Sequence, residues 1–205
     1  ISLYVHIPFC NDICYYCACN KIVTRDKNTA RTYLDYLRKE IDLLSKTIGK
    51  PLVVDALHFG GGTPNFLNAG QLTELMYLLS NQFNLSSGDH REFSIEVDPR
   101  SITSDTLGLL KGLGFNRLSF GIQDFDPHVQ KSINRQQSFA MVKQLTDSAR
   151  IHGFNSINYD LIYGLPFQSK ESMGRTIDQV LELKPARIAL YNYAHLPERF
   201  PSQRA

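Results

Sequence analysis

Apolar and polar residues follow two periods along this chain, and the two periods alternate from one end to the other. Six short runs are rich in β-branched and aromatic residues, and five longer stretches between them carry apolar residues at helical spacing. This alternation is typical of a parallel sheet with helices packed on its outside. The predicted strands are 2–7, 53–59, 92–97, 117–123, 156–163 and 187–193, and the predicted helices are 29–46, 69–82, 104–113, 139–152 and 170–183.

Within the predicted strands, apolar residues alternate with polar ones. In the third strand, Phe93, Ile95 and Val97 alternate with Ser94 and Glu96, and four of the other strands show the same pattern. A parallel sheet buried on both faces would carry continuous apolar runs, and a filled eight-stranded barrel would carry branched aliphatic residues inside. We therefore predict an α/β fold, an incomplete (β/α)6 three-quarter barrel of parallel strands with a polar inner face.

All the cysteines of the chain lie in the connection between the first strand and the first helix. That connection has about 20 residues, and loops longer than about 12–15 residues are uncommon in compact domains unless they are functional. A metal centre would supply the order that a hydrophobic core supplies elsewhere. The cysteines are Cys10, Cys14, Cys17 and Cys19.

Three kinds of centre compete for these cysteines. A structural zinc ion needs four ligands, commonly in two separated pairs, and Cys17 and Cys19 are awkwardly close for one tetrahedral ion. A disulfide is disfavoured in a reducing compartment. A [4Fe–4S] cluster held by Cys10, Cys14 and Cys17 leaves one iron without a protein ligand, whereas iron–sulfur electron carriers use four cysteines. An open metal position is where a substrate or cofactor can bind.

A glycine run ends the second predicted strand. Gly60, Gly61 and Gly62 are followed by Thr63 and Pro64, which suit the N-cap and first residue of a helix. The run is either a tight turn into that helix or a backbone segment that approaches a ligand closely.

Polar residues near the carboxyl ends of the strands share the parity of the inner face. Glu96, Gln123 and Asp160 are solvated strand ends or contacts to a ligand, since sites of such architectures gather at that face. Arg135 is a surface arginine or the partner of a ligand carboxylate. Tyr16 packs the cysteine loop or covers an adenine.

Composition excludes some function classes. The net charge is +2, with 42% hydrophobic and 20% charged residues, which gives no reason to expect nucleic acid or a membrane surface as a partner. The chain has no apolar run of the ~18 residues that a membrane span needs, and no signal-peptide pattern. We expect a cytoplasmic monomer with one domain, residues 1–205.

The CxxxCxxC spacing after the first strand resembles that of the radical S-adenosylmethionine (SAM) superfamily. The resemblance implies that SAM chelates the open iron, and that one electron from the cluster cleaves SAM to a 5′-deoxyadenosyl radical. Seven segments are more specifically similar to the oxygen-independent coproporphyrinogen III oxidase (coproporphyrinogen dehydrogenase) family. These segments are 4–10, 17–21, 58–64, 95–100, 121–125, 160–166 and 193–197.

The resemblance implies a reaction and its partners. Two propionates of coproporphyrinogen III become vinyls, which gives protoporphyrinogen IX in haem synthesis. Each propionate loses a β-hydrogen to the adenosyl radical, then CO₂ and an electron. An electron donor of the reduced flavodoxin or ferredoxin type is implied as well. The N-terminal tail and the helical C-terminal domain of the family are expected to be absent from this chain.

The resemblance also assigns residues. Cys10, Cys14 and Cys17 match the cluster ligands, and Cys19 matches a fourth cysteine that is not a ligand but is needed for activity; the alternative for Cys19 is a small buried side chain. Other positions match contacts to a cluster-bound SAM and to a second SAM. They are Tyr4, Gly61 and Glu96 for the first, and Tyr16, Gly62, Thr63, Gln123, Arg135, Asp160 and Ala194 for the second.

Two rival functions stay open. A haem chaperone of the same fold resembles the chain around CxxxCxxC but usually lacks the cysteine at position 19, so Cys19 favours the oxidase. A non-enzymatic iron–sulfur or zinc module is disfavoured by the absence of a fourth cluster cysteine and by the polar inner face.

Overall fold

Six parallel strands form one sheet in the computed structural model, which describes residues 1–49 and 52–204. The strands lie in chain order, and each pairs with the next one along the chain. This order and direction confirm the predicted incomplete parallel barrel. The strands are β1 (Ser2–Ile7), β2 (Ala56–Gly61), β3 (Glu92–Val97), β4 (Arg117–Gln123), β5 (Ser156–Tyr163) and β6 (Arg187–Asn192).

Helices connect consecutive strands, as right-handed crossovers between parallel strands require. Reciprocal capping boxes fix the starts of two of them, through Asn68 and Gln71 and through Ser169 and Ser172. The helices are α1 (Thr29–Ile48), α2 (Ala69–Gln82), α3 (Ser104–Gly112), α4 (Pro127–Ser132), α5 (Phe139–Ile151) and α6 (Lys170–Leu183). Of the helices in the described ranges, none combines the length and the apolar character needed to cross a membrane.

The predicted alternation of buried and polar strand residues is confirmed. Outward-facing Ile95, Phe120 and Tyr159 are 0% exposed and belong to one hydrophobic cluster beneath the helices. The residues between them are only half-buried and face the inside of the sheet. The apolar strand residues therefore pack under the outer helices, and the polar ones line an interior that is open to a ligand.

Within the described residues, the structure differs from the prediction in several short elements and by one or two residues at some helix and strand ends. The run 53–59 divides at Asp55: Val53–Val54 pairs with Asn84–Leu85 in a separate two-stranded sheet, and β2 continues to Gly61. Helix α4 was not predicted, because its six residues are too few to show a helical period. The cysteine loop contains another short parallel pair, Phe9–Cys10 with Ile22–Val23.

Candidate active site

A cavity of about 770 Å³ extends along the polar inner face of the sheet. The cysteine loop, the glycine run and the inward residues of β2–β5 line it, and all four cysteines are among the lining residues. Its volume is in the range of small-molecule and cofactor sites.

Residues far along the chain hold the cysteine loop in place. The Tyr15 N–H donates to the Ile133 carbonyl at 3.0 Å, and the Asn134 side-chain amide donates to the Ile13 carbonyl at 2.7 Å. Asn134 has a left-handed backbone (φ 52°), which asparagine tolerates better than most residues. The segment after α4 therefore fixes the part of the loop that carries Cys14.

The four thiols have different surroundings. Cys10 is half-buried, with its Sγ 3.7 Å from Thr63 Oγ1, and burial raises its pKa. A hydrogen bond from the Cys19 thiol lowers the pKa of Cys17 to about 6, and the same contact raises the pKa of Cys19. Within this pair the negative charge is favoured on Cys17, and Cys19 is the exposed member.

Two guanidinium groups contact the buried Cys14 sulfur. Arg135 Nη1 is 3.4 Å and Arg100 Nη2 is 3.6 Å from Cys14 Sγ. Asp98 balances both charges: Arg100 Nη2 donates to Asp98 Oδ2 at 2.7 Å, and Arg135 Nη2 is 3.4 Å from Asp98 Oδ1. Burial alone would raise the pKa of Asp98, but Arg135 and Arg100 outweigh it and hold the pKa below its usual range.

Asp98 and Arg100 are site residues that were not predicted from the sequence. Asp98 follows β3 directly and shares the inward parity of Ser94 and Glu96, which was the available signal. Nothing in the sequence pairs Arg100 with Cys14, because the two are 86 residues apart. Arg135, predicted to bind a ligand carboxylate, is 6% exposed and already bonds Gly121 O, Cys14 and Asp98. Its predicted role toward a ligand stays a prediction.

The glycine run packs against the start of the cysteine loop. A Cβ on Gly62 would lie 2.6 Å from the Pro8 carbonyl oxygen and 2.8 Å from that of Phe9. The Gly62 N–H donates to Ile7 O at 2.8 Å. Thr63 and Pro64 start a short 3₁₀ turn as predicted, but the Thr63 side chain makes no cap and approaches Cys10 instead. The glycines therefore bring β2 against the loop that holds the first thiol.

Glu96 lies beside this run. Its Oε1 is hydrogen-bonded to His58 Nε2 at 3.1 Å, and its Oε2 accepts the Gly61 N–H at 3.3 Å. Tyr4 stacks on His58 with ring centroids 5.7 Å apart, and it is 59% exposed. The carboxylate is preorganised and still open to the cavity, since its side chain is 40% exposed.

Asp160 and Gln123 face the same cavity from β5 and β4. Asp160 accepts from Ser119 Oγ and Asn158 Nδ2, each at 2.8 Å, yet burial raises its pKa. The β4–β5 register shifts between Gly121 and Gln123, and Gln123 has φ 68°. Such a bulge redirects the side chain at the end of a strand.

The remaining predicted residues lie at the edge of the site. Tyr16 lines the cavity and packs against a small cluster that includes Val129 and Ile162. Ala194 follows β6 in an exposed position, and Gln203 Nε2 links its carbonyl (3.0 Å) to that of Tyr16 (3.2 Å). Ala194 and Tyr4 are not among the residues that line the cavity.

The residues present fit a multi-iron cluster. In residues 1–49 and 52–204, no three His, Cys, Asp or Glu side chains converge closely enough to share one metal ion. In a cluster each thiolate binds a different iron, so three thiols around one cavity, one of them bonded by two cations, are a suitable donor set.

Comparisons with known proteins agree with this chemistry. A family profile described as the Radical SAM superfamily matches residues 4–180. Among curated proteins, the oxygen-independent coproporphyrinogen III oxidase of Pseudomonas aeruginosa is 52% identical over 204 residues, and that of Salmonella typhimurium is 50% identical over 208 residues. Each alignment covers 100% of this chain and 44% of the relative, so the chain spans less than half of these proteins.

A solved structure with high sequence identity matches nearly the whole chain. It is coproporphyrinogen III oxidase from Escherichia coli, described as a radical SAM enzyme, with 50% sequence identity and a TM-score of 0.95. The match covers 99% of this chain and 46% of that one. The radical SAM fold predicted for this chain is thus confirmed, and the named relatives favour the oxidase over the haem chaperone.

Proposed function

Because this chain belongs to the radical SAM superfamily, we propose that it is the cluster- and SAM-binding barrel of an oxygen-independent coproporphyrinogen III oxidase. The superfamily implies a [4Fe–4S] cluster and SAM as cofactors. The observation that carries the proposal is the placement of Cys10, Cys14 and Cys17 around one polar cavity beside Gly61 and Glu96.

We propose that Cys10, Cys14 and Cys17 hold the cluster and leave one iron open to SAM. When bound, the cluster supplies the electron that cleaves SAM to methionine and a 5′-deoxyadenosyl radical. The local charges suit this assignment, because Cys17 carries a lowered pKa and two guanidiniums contact Cys14. Cations and hydrogen-bond donors stabilise thiolates.

The other predicted residues would bind and orient SAM. The Glu96 carboxylate would accept hydrogen bonds from ribose hydroxyls, as acidic residues do in other nucleotide sites. Tyr4 and Gly61 would contact the same SAM. A second SAM would bind beside the first, and its proposed contacts are Tyr16, Gly62, Thr63, Gln123, Arg135, Asp160 and Ala194.

The substrate we propose is coproporphyrinogen III. Each of two propionates would lose one β-hydrogen atom to the adenosyl radical. The substrate radical would then break its bond to the carboxylate, which releases CO₂, passes one electron to an external one-electron acceptor and leaves a vinyl group. The family resemblance implies that Cys19 acts at this stage, and it is an exposed thiol two residues from the proposed ligand Cys17.

The full-length protein would act as a monomer and would receive electrons from a donor of the flavodoxin or ferredoxin type. Residues 1–205 would form one domain, and the rest of the longer protein would help to close the site.

Anaerobic turnover by the full-length protein tests this proposal. With SAM, a reductant and coproporphyrinogen III, we expect 5′-deoxyadenosine, CO₂ and a divinyl product. Stable haem binding without decarboxylation would identify a chaperone, and zinc without iron or 5′-deoxyadenosine would identify a non-enzymatic module. Either result would overturn the oxidase assignment.

A further inference from the structure

The Arg100 guanidinium contacts three other residues through its polar atoms: Asp98, Asn134 and Cys14. Arg100 follows β3 in the 3₁₀ turn Pro99–Ser101, and its guanidinium is turned inward so that the side chain is only 24% exposed. Its Nε and Nη2 both bond the Asp98 carboxylate, its Nη1 bonds the Asn134 carbonyl at 3.3 Å, and its Nη2 lies 3.6 Å from Cys14 Sγ.

These contacts connect Arg100 to the same two features that position Cys14. Asn134 also holds the cysteine loop through Ile13, and Asp98 also balances Arg135. The guanidinium is therefore fixed by a carboxylate on one side and a carbonyl on the other. A planar group held in this way keeps its N–H aimed in one direction, toward the sulfur.

We propose that Arg100 is a positioning residue that donates a charge-assisted hydrogen bond to the Cys14 thiolate and thereby makes the bound cluster easier to reduce. This inference rests on the proposed function, because it requires a cluster on Cys14. Reduction adds one negative charge to the cluster, and hydrogen bonds and positive charge at the cysteine sulfurs favour the reduced form. Neighbours beyond the direct ligands tune metal centres in this way.

A substitution at Arg100 tests the contact to the cysteine sulfur more clearly than a substitution at Arg135 would. Arg135 makes the shorter contact to Cys14, but the family resemblance also assigns it to SAM. No SAM contact is predicted for Arg100. A change at Arg100 therefore reports on the sulfur contact without removing a predicted ligand of SAM.

The test is a redox titration of the reconstituted full-length protein, followed by the electron paramagnetic resonance signal of the reduced cluster. In Arg100→Met, we expect the equilibrium constant for one-electron reduction to fall about tenfold, which is a midpoint potential about 59 mV more negative. In Arg100→Lys, we also expect a more negative potential, since an ammonium that bonds Asp98 has no planar group to hold another N–H in the direction of the sulfur.

Arg25→Met is the matched control. Arg25 is an equally charged residue that bonds Asp12, within the cysteine loop, instead of a sulfur, and its side chain is 82% exposed. Its loss should leave the potential unchanged, because exposed charges are screened by solvent and salt. An equal shift in Arg25→Met and Arg100→Met would overturn the proposal, since net charge alone would then explain it.

The outcomes distinguish this inference from the proposed function. Wild-type protein that binds no iron and sulfide would refute the proposed function and the inference with it. A wild-type cluster with the same potential in Arg100→Met would refute the inference alone. If Arg100→Met does not retain iron, Arg100→Lys decides, and a wild-type potential in that variant overturns the proposal.

Discussion

Replacement of Glu96 by alanine removes a carboxylate that two hydrogen bonds orient at the wall of the cavity. Its two oxygens are fixed by His58 and by the Gly61 N–H, at 3.1 Å and 3.3 Å, and its side chain is 40% exposed. If Glu96 accepts hydrogen bonds from the SAM ribose, its loss should weaken SAM binding and leave the cysteines able to hold the cluster.

The exposure of Glu96 sets the expected size of the effect. A hydrogen bond to a charged group contributes about 1.5–3 kcal/mol, and the lower end applies where water competes for the carboxylate. A loss of about 1.5 kcal/mol raises the dissociation constant of SAM about tenfold. Glu96→Gln keeps one acceptor oxygen without the charge, so its dissociation constant should fall between those of wild type and Glu96→Ala.

Anaerobic titration calorimetry of the reconstituted full-length protein with SAM measures this constant. Glu92→Ala is the matched control, because Glu92 lies on the same strand and pairs with Arg117. At ~3.3 Å per residue it is about 13 Å from Glu96, beyond reach of the same ribose. An unchanged dissociation constant in Glu96→Ala, or an equal loss in Glu92→Ala, would refute the role of Glu96.

Three other predictions concern reactivity, packing and pH dependence. Cys19→Ser removes no cluster ligand, so the SAM affinity measured by calorimetry should not change. The amount of vinyl product in a turnover assay should fall. Gly62→Ala should lower the free energy of unfolding in urea by about 1–3 kcal/mol, since its Cβ meets backbone oxygens at 2.6 Å and 2.8 Å. Arg31 and Arg38 lower the pKa of Glu74, so Glu74→Gln should lower the melting temperature at pH 7, and this effect should shrink as pH falls below about 4.3.

Each of these predictions has a control or a contradicting result. Gly174→Ala, in α6 with nothing within 4 Å of its Cβ, should be neutral or stabilising, and equal damage from both glycine changes would refute the packing argument. A depressed pKa contributes stability above the unfolded-state value of about 4.3, and that stability disappears as pH falls. A Glu74→Gln effect that is constant with pH would therefore contradict the ion pair. Wild-type turnover by Cys19→Ser would remove its proposed role.

The order and direction of the strands were predictable because they depend on local patterns. Strands β1, β3, β4 and β5 begin and end where the alternation predicts, since one face of each strand is buried under helices. Short elements were not predictable. Helix α4 depends on an Asp126 N-cap and on Pro127 rather than on a period, and the pair Phe9–Cys10 with Ile22–Val23 depends on the cysteine loop itself.

The site was predictable where its residues share one segment or one strand face. The cysteine spacing and the inward parity of Glu96 and Asp160 are visible in the sequence, and the structure brings these residues to one cavity. The contacts between Cys14, Arg100 and Arg135 were not visible, because they join segments 86 and 121 residues apart. Distances of this kind depend on the folded barrel and have no local signal.

The iron and sulfide content of the protein tests most directly whether three cysteines hold a [4Fe–4S] cluster. Full-length protein reconstituted without oxygen should bind about four irons and four sulfides per chain. Each of the variants Cys10→Ser, Cys14→Ser and Cys17→Ser should lose this cluster, whereas Cys19→Ser should retain it. Loss of iron in Cys19→Ser, or a wild-type protein that binds one zinc ion and no iron, would contradict a cluster held by three thiolates with one iron open to SAM.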